Sequence, residues 1–147
     1  MQLTIYLAGQ IHDDWRERLR GEAREQGLPF DFVGPQEEHS LSDDIGEKII
    51  GTQPDNRWKD EVASQMNSLR TRVLMENSDA VVALFGDRFR QWNVAMDCGI
   101  AIALGKPLIL VRDPDLHHAL KEISQRAQVT VDRPEQALEA LSYIVKE

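Results

Sequence analysis

The sequence predicts one α/β domain, spanning residues 1–147 and built on a parallel β-sheet, and three observations support this. Apolar runs of strand length alternate with helical segments along the whole chain. The run at residues 80–85 is apolar at every position, which is typical of a central strand buried on both faces. The 147 residues are 41% hydrophobic and 29% charged, a composition that supports one core and argues against disorder.

Turn-forming residues divide the chain into its elements in order. Gly9 ends the first strand, and Gly34 follows the second. Asp13 or Asp14 caps the first helix, and Gly27 closes it. The strands are predicted at residues 3–8, 30–33, 80–85, 107–111 and 128–131, and the helices at about residues 13–26, 62–77, 94–104, 117–126 and 135–145. Five strands in a chain of this length suit the flavodoxin-like order 2-1-3-4-5.

One connection is much longer than the others. Residues 34–61 join the second strand to the helix at 62–77, whereas such connections usually have about 2–6 residues. The segment carries several acidic residues and Trp58. It is either a surface insertion with a short helix at 45–50 or a lid over a binding site. We favour the lid, because long ordered loops in compact domains are usually functional.

Composition and charge exclude several classes of function. The net charge of −8 repels phosphate backbones, so a nucleic-acid polymer is not an expected partner. The apolar runs are too short to span a membrane, and the first residues lack the pattern of a signal peptide. A single cysteine, Cys98, suits the reducing cytoplasm. The four histidines match no zinc motif, so a metal is not expected. A cofactor is not expected either.

The candidate site is the crevice where the ends of strands one and three meet in this strand order. The loops expected there are residues 8–12 and 86–93. If Asn93 caps the following helix, Asp97 lies one turn further on the same face. From the residues alone, Asp97 is most simply a solvated acid near the start of a helix, where its negative charge interacts favourably with the helix dipole. The side chains and backbone expected to bind a substrate in these two loops are Gly9, His12, Gly86, Gln91, Trp92 and Asn93.

Motifs at these positions resemble the nucleoside 2-deoxyribosyltransferase superfamily. They stand at residues 6–9, 79–83, 96–101 and 104–107. Within that superfamily the chain more closely resembles the YtoQ family, and this closer resemblance runs nearly from end to end. It includes Ile11-His12, Phe32-Val33-Gly34-Pro35, Asp44-Ile45-Gly46, Leu84-Phe85-Gly86, Gln91-Trp92-Asn93 and Leu116-His117-His118.

The resemblance implies a nucleoside or nucleotide substrate and a covalent mechanism. In the transferases a carboxylate on this helix attacks the anomeric carbon, and water or a second base resolves the glycosyl-enzyme. Asp97 falls on the position of that nucleophile, and Tyr6 on that of a tyrosine that orients it. The resemblance also implies a homo-oligomer, dimer or tetramer, in which His118 reaches the neighbouring subunit's site.

The chain departs from the transferase pattern at three positions. The nucleophile is Asp97 where the transferases have Glu, which shortens its reach by one methylene. Gln91 and Arg72 stand where the transferases carry further acids. Asp60 and Asp87 are the remaining candidates for a general acid. Two other functions stay open: a non-catalytic protein that binds a nucleotide or small ligand, and an enzyme of unrelated chemistry in the same crevice.

Overall fold

The computed structural model describes residues 1–87 and 90–146, and it confirms the predicted sheet. Its five strands are all parallel, in the order β2-β1-β3-β4-β5. The strands are β1 (Leu3–Gly9), β2 (Phe30–Val33), β3 (Ala80–Phe85), β4 (Leu108–Arg112) and β5 (Val129–Val131). The helices are α1 (Trp15–Glu25), α2 (His39–Ile50), α3 (Asn56–Glu76), α4 (Trp92–Ala103), α5 (Lys121–Ser124) and α6 (Pro134–Val145).

The sheet separates two apolar layers. Successive strand residues point to opposite faces. On one face Leu7 and Val82 pack in a core with α1 and α6, and on the other Tyr6 and Val81 pack with α3 and α4. All six residues of β3 are buried because helices cover both faces of this central strand.

The segment at 34–61 is more ordered than predicted. It contains α2, and α3 begins at Asn56 rather than at residue 62. The side chain of Asp55 accepts a hydrogen bond from the Trp58 backbone N–H at 3.1 Å and so caps α3. The polar residues that open α3 hide the helical period from a hydrophobicity pattern, which explains the late predicted start.

Two other helix predictions were wrong. Asn93 does not cap α4, because Gln91 takes that position in a left-handed conformation with φ of 50°. The helix predicted at 117–126 is instead a 3₁₀ turn at Pro114–Leu116 followed by the single turn of α5. The side chain of Asp113 caps that 3₁₀ turn by accepting from the Asp115 N–H at 2.8 Å. Such tight turns rarely extend beyond a few residues.

The sequence predicts that the apolar runs are too short to span a membrane. Among the described residues, none of the helices combines the length and hydropathy needed to cross a lipid bilayer.

Candidate active site

A cavity of about 320 Å³ lies beside the carboxyl end of β1, between α3 and α4. This edge of the sheet holds the point where the strand order reverses, and α/β proteins place ligands there. The cavity receives residues from five parts of the chain. Its lining consists of Gly9, Ile11, Pro35, Gln36, Ser42, Ser64, Asn67, Ser68, Arg70, Thr71, Asn93, Met96, Asp97 and Ile100.

Asp97 is the carboxylate of this cavity. It is partly buried and lies in the second turn of α4, because that helix begins two residues earlier than predicted. Burial raises the pKa of Asp97 from 3.8 to about 6, and the positive charge of Arg16 opposes part of this rise. Near neutral pH Asp97 is therefore ionised but poorly solvated, which are the properties of a reactive carboxylate nucleophile.

Tyr6 does not line the cavity and is fully buried in the core layer that α4 covers. Its hydroxyl donates a hydrogen bond to Thr71 Oγ1 at 3.3 Å. Burial raises the pKa of Tyr6 to about 12, and the charge of Asp97 contributes to the rise. Tyr6 is thus a neutral donor within electrostatic range of Asp97, and it fixes Thr71 in the cavity wall.

The wall contributed by α3 is polar and mostly uncharged. Ser64, Asn67, Ser68 and Thr71 all line the cavity at the spacing i, i+3, i+4 and i+7, which places them on one face of the helix. Asn67 is held by a hydrogen bond from its Nδ2 to the Ser42 carbonyl at 3.0 Å. Hydroxyl and amide groups arranged in this way suit the hydroxyl groups of a sugar or the edge of a base.

Of the residues predicted in the two loops, Gly9 and Asn93 join Asp97 in the lining. Gly9 has φ of +148°, and a Cβ added there would lie 2.9 Å from the Trp15 ring and 3.0 Å from the Leu84 carbonyl. Only glycine therefore fits at this end of β1. The predicted placement of Asn93 and Asp97 on one face of the helix agrees with the structure, although Asn93 is not the cap.

The other predicted residues lie outside this lining. Gln91 is buried and supports the loop before α4, since its side-chain amide bonds both the N–H and the carbonyl of Gly86, at 3.1 and 2.8 Å. Trp92 is 72% exposed. The exposed ring of His12 lies edge-to-face with that of His39, with centroids 5.3 Å apart. His118 is exposed in the turn after the 3₁₀ segment.

The general-acid candidates and Cys98 do not add to the site. Asp60 and Asp87 are exposed and do not line the cavity. Cys98 is fully buried, and burial raises the pKa of its thiol to about 12, so it behaves as a small hydrophobic residue. Within residues 1–87 and 90–146, no group of three or more His, Cys, Asp and Glu side chains is arranged to hold a metal ion.

Sequence reasoning missed the α3 wall and the contributions of Gln36 and Ser42. A signal for the wall was present, because four uncharged polar residues recur at helical spacing inside a segment predicted to be helical. Nothing local pointed to Gln36 or Ser42. They reach the cavity only because α2 packs against α3, and a Cβ added at Gly46 of α2 would lie 2.6 Å from the backbone of Val62.

A neighbouring cavity of about 420 Å³ lies between α2 and α3 and is lined mainly by apolar side chains. It shares Gln36, Ser42, Asn67 and Arg70 with the cavity at Asp97. Among the residues that the structure describes, no acidic side chain lines it. Because a carboxylate at the reversal point of the sheet is the stronger indication of chemistry, we take the cavity at Asp97 as the candidate active site.

Residues 6–145 match the model of a protein family described as nucleoside 2-deoxyribosyltransferase YtoQ. An uncharacterized protein of Bacillus subtilis strain 168, YtoQ, is 51% identical over 144 residues, which are 98% of this chain and 97% of that protein.

Three solved structures share the fold. A conserved protein from Enterococcus faecalis V583 has a TM-score of 0.62 at 20% identity, covering 97% of this chain and 99% of that chain. A 2-deoxyribosyltransferase from Bacillus psychrosaccharolyticus has a TM-score of 0.56 at 18% identity, covering 92% of this chain and 90% of that chain. The CMP N-glycosidase BcmB of Clostridium botulinum has a TM-score of 0.53 at 13% identity, covering 96% of this chain and 98% of that chain. At these identities the likeness concerns the fold.

Proposed function

The chain belongs to the nucleoside 2-deoxyribosyltransferase YtoQ family, and from this premise we propose that it cleaves or transfers the N-glycosidic bond of a nucleoside or a similar small N-glycoside. Two proteins of the same fold, a 2-deoxyribosyltransferase and a CMP N-glycosidase, act on bonds of this kind. The proposal thus combines family membership with the chemistry of one cavity.

The observation that carries the proposal is the pairing of a poorly solvated carboxylate with a polar wall that is uncharged apart from Arg70. Asp97 lies in the same cavity as Ser64, Asn67, Ser68 and Thr71. The wall offers hydrogen bonds to a polyhydroxylated ligand and adds no second carboxylate. The developing positive charge of an oxocarbenium-like transition state is then stabilised by Asp97.

In the proposed reaction a carboxylate oxygen of Asp97 attacks the anomeric carbon and forms an ester bond to the sugar. The C–N bond breaks, and its electron pair leaves with the base, which takes up a proton. Water, or the nitrogen of a second base, then attacks the same carbon and releases Asp97. The first outcome is hydrolysis and the second is transfer.

Other residues receive roles that fit their positions. Gly9 and Asn93 contact the substrate from the two loop ends. Tyr6 holds Thr71 by a hydrogen bond and stays a neutral group in the electrostatic surroundings of Asp97. His12, Gly86, Gln91 and Trp92 lie near this edge of the sheet, and Gln91 keeps the loop at Gly86 in place. His118 serves the site of a neighbouring subunit, which requires a homo-oligomer.

The direct test is release of free base from a panel of ribo- and 2′-deoxyribonucleosides and their 5′-monophosphates, followed by chromatography. The wild-type protein should release base from at least one member, and Asp97→Ala should release none while remaining folded. Full turnover by Asp97→Ala on a confirmed substrate would remove Asp97 as the nucleophile.

A covalent intermediate can be trapped with the corresponding 2′-fluoro-2′-deoxynucleoside, because fluorine at this position slows both steps through the electron-poor transition state. The peptide that contains Asp97 should gain the mass of the fluorosugar. Asp60→Ala, which removes an exposed acid of α3, is the matched control and should still be labelled.

A non-catalytic ligand-binding protein is the second candidate, and the shorter reach of Asp97 compared with the glutamate of the transferases favours it. In that case a nucleoside or nucleotide raises the melting temperature in a saturable way and no base is released.

A further inference from the structure

Arg16 is the largest charged side chain in the core, with 2% of its surface exposed. It lies in the first turn of α1, directly under the end of β1. Its guanidinium donates three hydrogen bonds to backbone carbonyls: Nε to Leu7 at 3.1 Å, Nη1 to Gln10 at 2.5 Å and Nη2 to Gly9 at 2.7 Å. Its Cζ lies 4.7 Å from the centroid of the Trp15 ring.

This charge is buried without a direct ionic partner. Within the described part of the chain, no carboxylate oxygen lies within 4.0 Å of an Arg16 side-chain nitrogen. Burial lowers the pKa of Arg16 to about 10, so the group remains charged at neutral pH. Carboxylates act on it only from a longer range, and Glu37 contributes most, followed by Asp13. A buried charge without a direct ionic partner is costly. A neutral side chain of similar shape would avoid this desolvation cost, so a charged arginine at position 16 requires an explanation.

The position of Arg16 supplies that reason. Two of its three carbonyl acceptors belong to Gly9 and Gln10, and both Gly9 and Ile11 line the cavity at Asp97. The guanidinium therefore holds one wall of the site from inside the protein. Its fork of donors matches three carbonyls at once, which an ammonium group cannot do with the same geometry.

We propose that Arg16 is a positioning residue: it holds the loop at Gly9–Ile11 in place and keeps a positive charge within electrostatic range of Asp97. The charged and titratable groups around Asp97 are Tyr6 from β1, Arg16 from α1, Arg70 from α3 and Cys98 on α4 itself. The positive charge of Arg16 favours the ionised carboxylate of Asp97. Its importance for catalysis rests on the proposed function, whereas its coupling to Asp97 does not.

The coupling is tested by NMR titration of the Asp97 side-chain carboxyl carbon in wild-type protein, Arg16→Lys and Arg16→Gln. Arg16→Gln removes the charge, so the titration midpoint of Asp97 should move upward by roughly half a pH unit or more. Arg16→Lys keeps the charge, so the midpoint should stay near the wild-type value. Arg24→Gln, which removes an exposed arginine from the same helix, should leave it unchanged. An unchanged midpoint in folded Arg16→Gln overturns the proposal.

A second measurement does not depend on whether Arg16→Gln folds. In wild-type protein the Arg16 Nε resonance should shift with pH at the same midpoint as Asp97, and this shift should be absent in Asp97→Asn. An Arg16 resonance that does not respond while Asp97 titrates overturns the coupling.

The catalytic consequence has its own readout on a confirmed substrate. Arg16→Lys retains charge but loses the three-carbonyl fork, so kcat should fall at least tenfold while the acidic limb of the pH profile stays in place. Where Arg16→Gln folds, the limb should move to higher pH as well. If the wild-type protein cleaves no nucleoside, the proposed function fails. The NMR measurement still decides whether Arg16 and Asp97 are coupled, because it needs no substrate.

Discussion

At the scale of single residues, the unusual feature is that Asp97 is held where its charged form is unfavourable. Its pKa is raised from 3.8 to about 6, mainly by burial. The folded protein therefore binds a proton at Asp97 more tightly than the unfolded chain does. Stability from this group is greatest at low pH and decreases as the pH rises through about 6. A destabilised carboxylate of this kind is typical of functional sites.

We expect Asp97→Asn to stabilise the protein near neutral pH. The substitution removes a buried charge and keeps the shape of the side chain, so the free energy of unfolding should rise by on the order of 1–3 kcal/mol. Below pH 3.8, the ordinary pKa of the group, Asp97 is neutral in both states and the gain should vanish. Urea denaturation between pH 3 and pH 8 measures the difference.

The matched control for that measurement is Asp60→Asn, at an exposed position of α3. It should change stability little at any pH. A neutral or destabilising Asp97→Asn at pH 8 would contradict the description of Asp97 as a poorly solvated carboxylate.

The same ionisation predicts the pH dependence of the proposed reaction. A nucleophile must be deprotonated, so on a confirmed substrate kcat should fall as the pH decreases through about 6, approaching tenfold per pH unit below that value. Rates from pH 4 to pH 9 in buffers of constant ionic strength provide the test. A rate that stays constant down to pH 4 would mean that the attacking group is not Asp97.

At the scale of elements, the pairing of α2 with α3 builds the half of the site that faces α4. α3 supplies the polar wall, and α2 with the residues before it supplies Pro35, Gln36 and Ser42. Gly46 permits the close approach, because a Cβ there would lie 2.4 Å from Val62 Cγ2 and 2.6 Å from the Ala63 backbone nitrogen. The segment predicted as a lid, residues 34–61, therefore contains the ordered helix α2 and contributes to the cavity.

Substituting Gly46 should separate these two helices. Gly46→Ala forces a backbone shift at Val62 and Ala63, so the free energy of unfolding should fall by about 1–3 kcal/mol. Gly21→Ala in α1 is the matched control, since a Cβ there meets nothing within 4 Å. It should leave stability unchanged or raise it by up to about 1 kcal/mol. Thermal denaturation of both variants distinguishes the effects, and an equally stable Gly46→Ala would contradict the close packing.

Ligand binding should reduce the motion of α2. Because residues 34–61 supply part of the cavity wall, a bound nucleoside should slow amide hydrogen exchange in this segment. Exchange followed by mass spectrometry, with and without a saturating ligand, measures this. Protection that is unchanged across the segment would argue that it forms a fixed wall and does not act as a lid.

At the scale of the whole molecule, large apolar side chains are exposed on α3 and α4, the two helices that flank the cavity. Trp92 is 72% exposed, Met96 61% and Leu69 62%. Met96 also lines the site. Exposed apolar surface next to a site is typical of a surface that another molecule covers. We expect a second copy of the chain to cover this surface in a symmetric assembly.

We therefore predict a homo-oligomer that light scattering detects at micromolar concentration. If His118 serves the neighbouring site, Asp97→Ala and His118→Ala should each be inactive. Mixing them should restore part of the activity, because a hybrid contains one intact shared site. A strictly monomeric protein, or no restoration despite proven exchange of subunits, would place His118 outside the partner's site.

The sequence alone determined the sheet, its strand order and the position of Asp97 near its carboxyl edge. These follow from local patterns: fully apolar runs, alternating helices and short turns, which allow few arrangements of parallel strands. The tertiary structure decided what surrounds Asp97. The α3 wall faces α4, Arg16 lies under β1, and α4 begins at Trp92, directly after Gln91, whose side chain bonds Gly86. Each of these depends on contacts between elements or across a loop, and burial, which sets the pKa of Asp97, exists only once those contacts have formed.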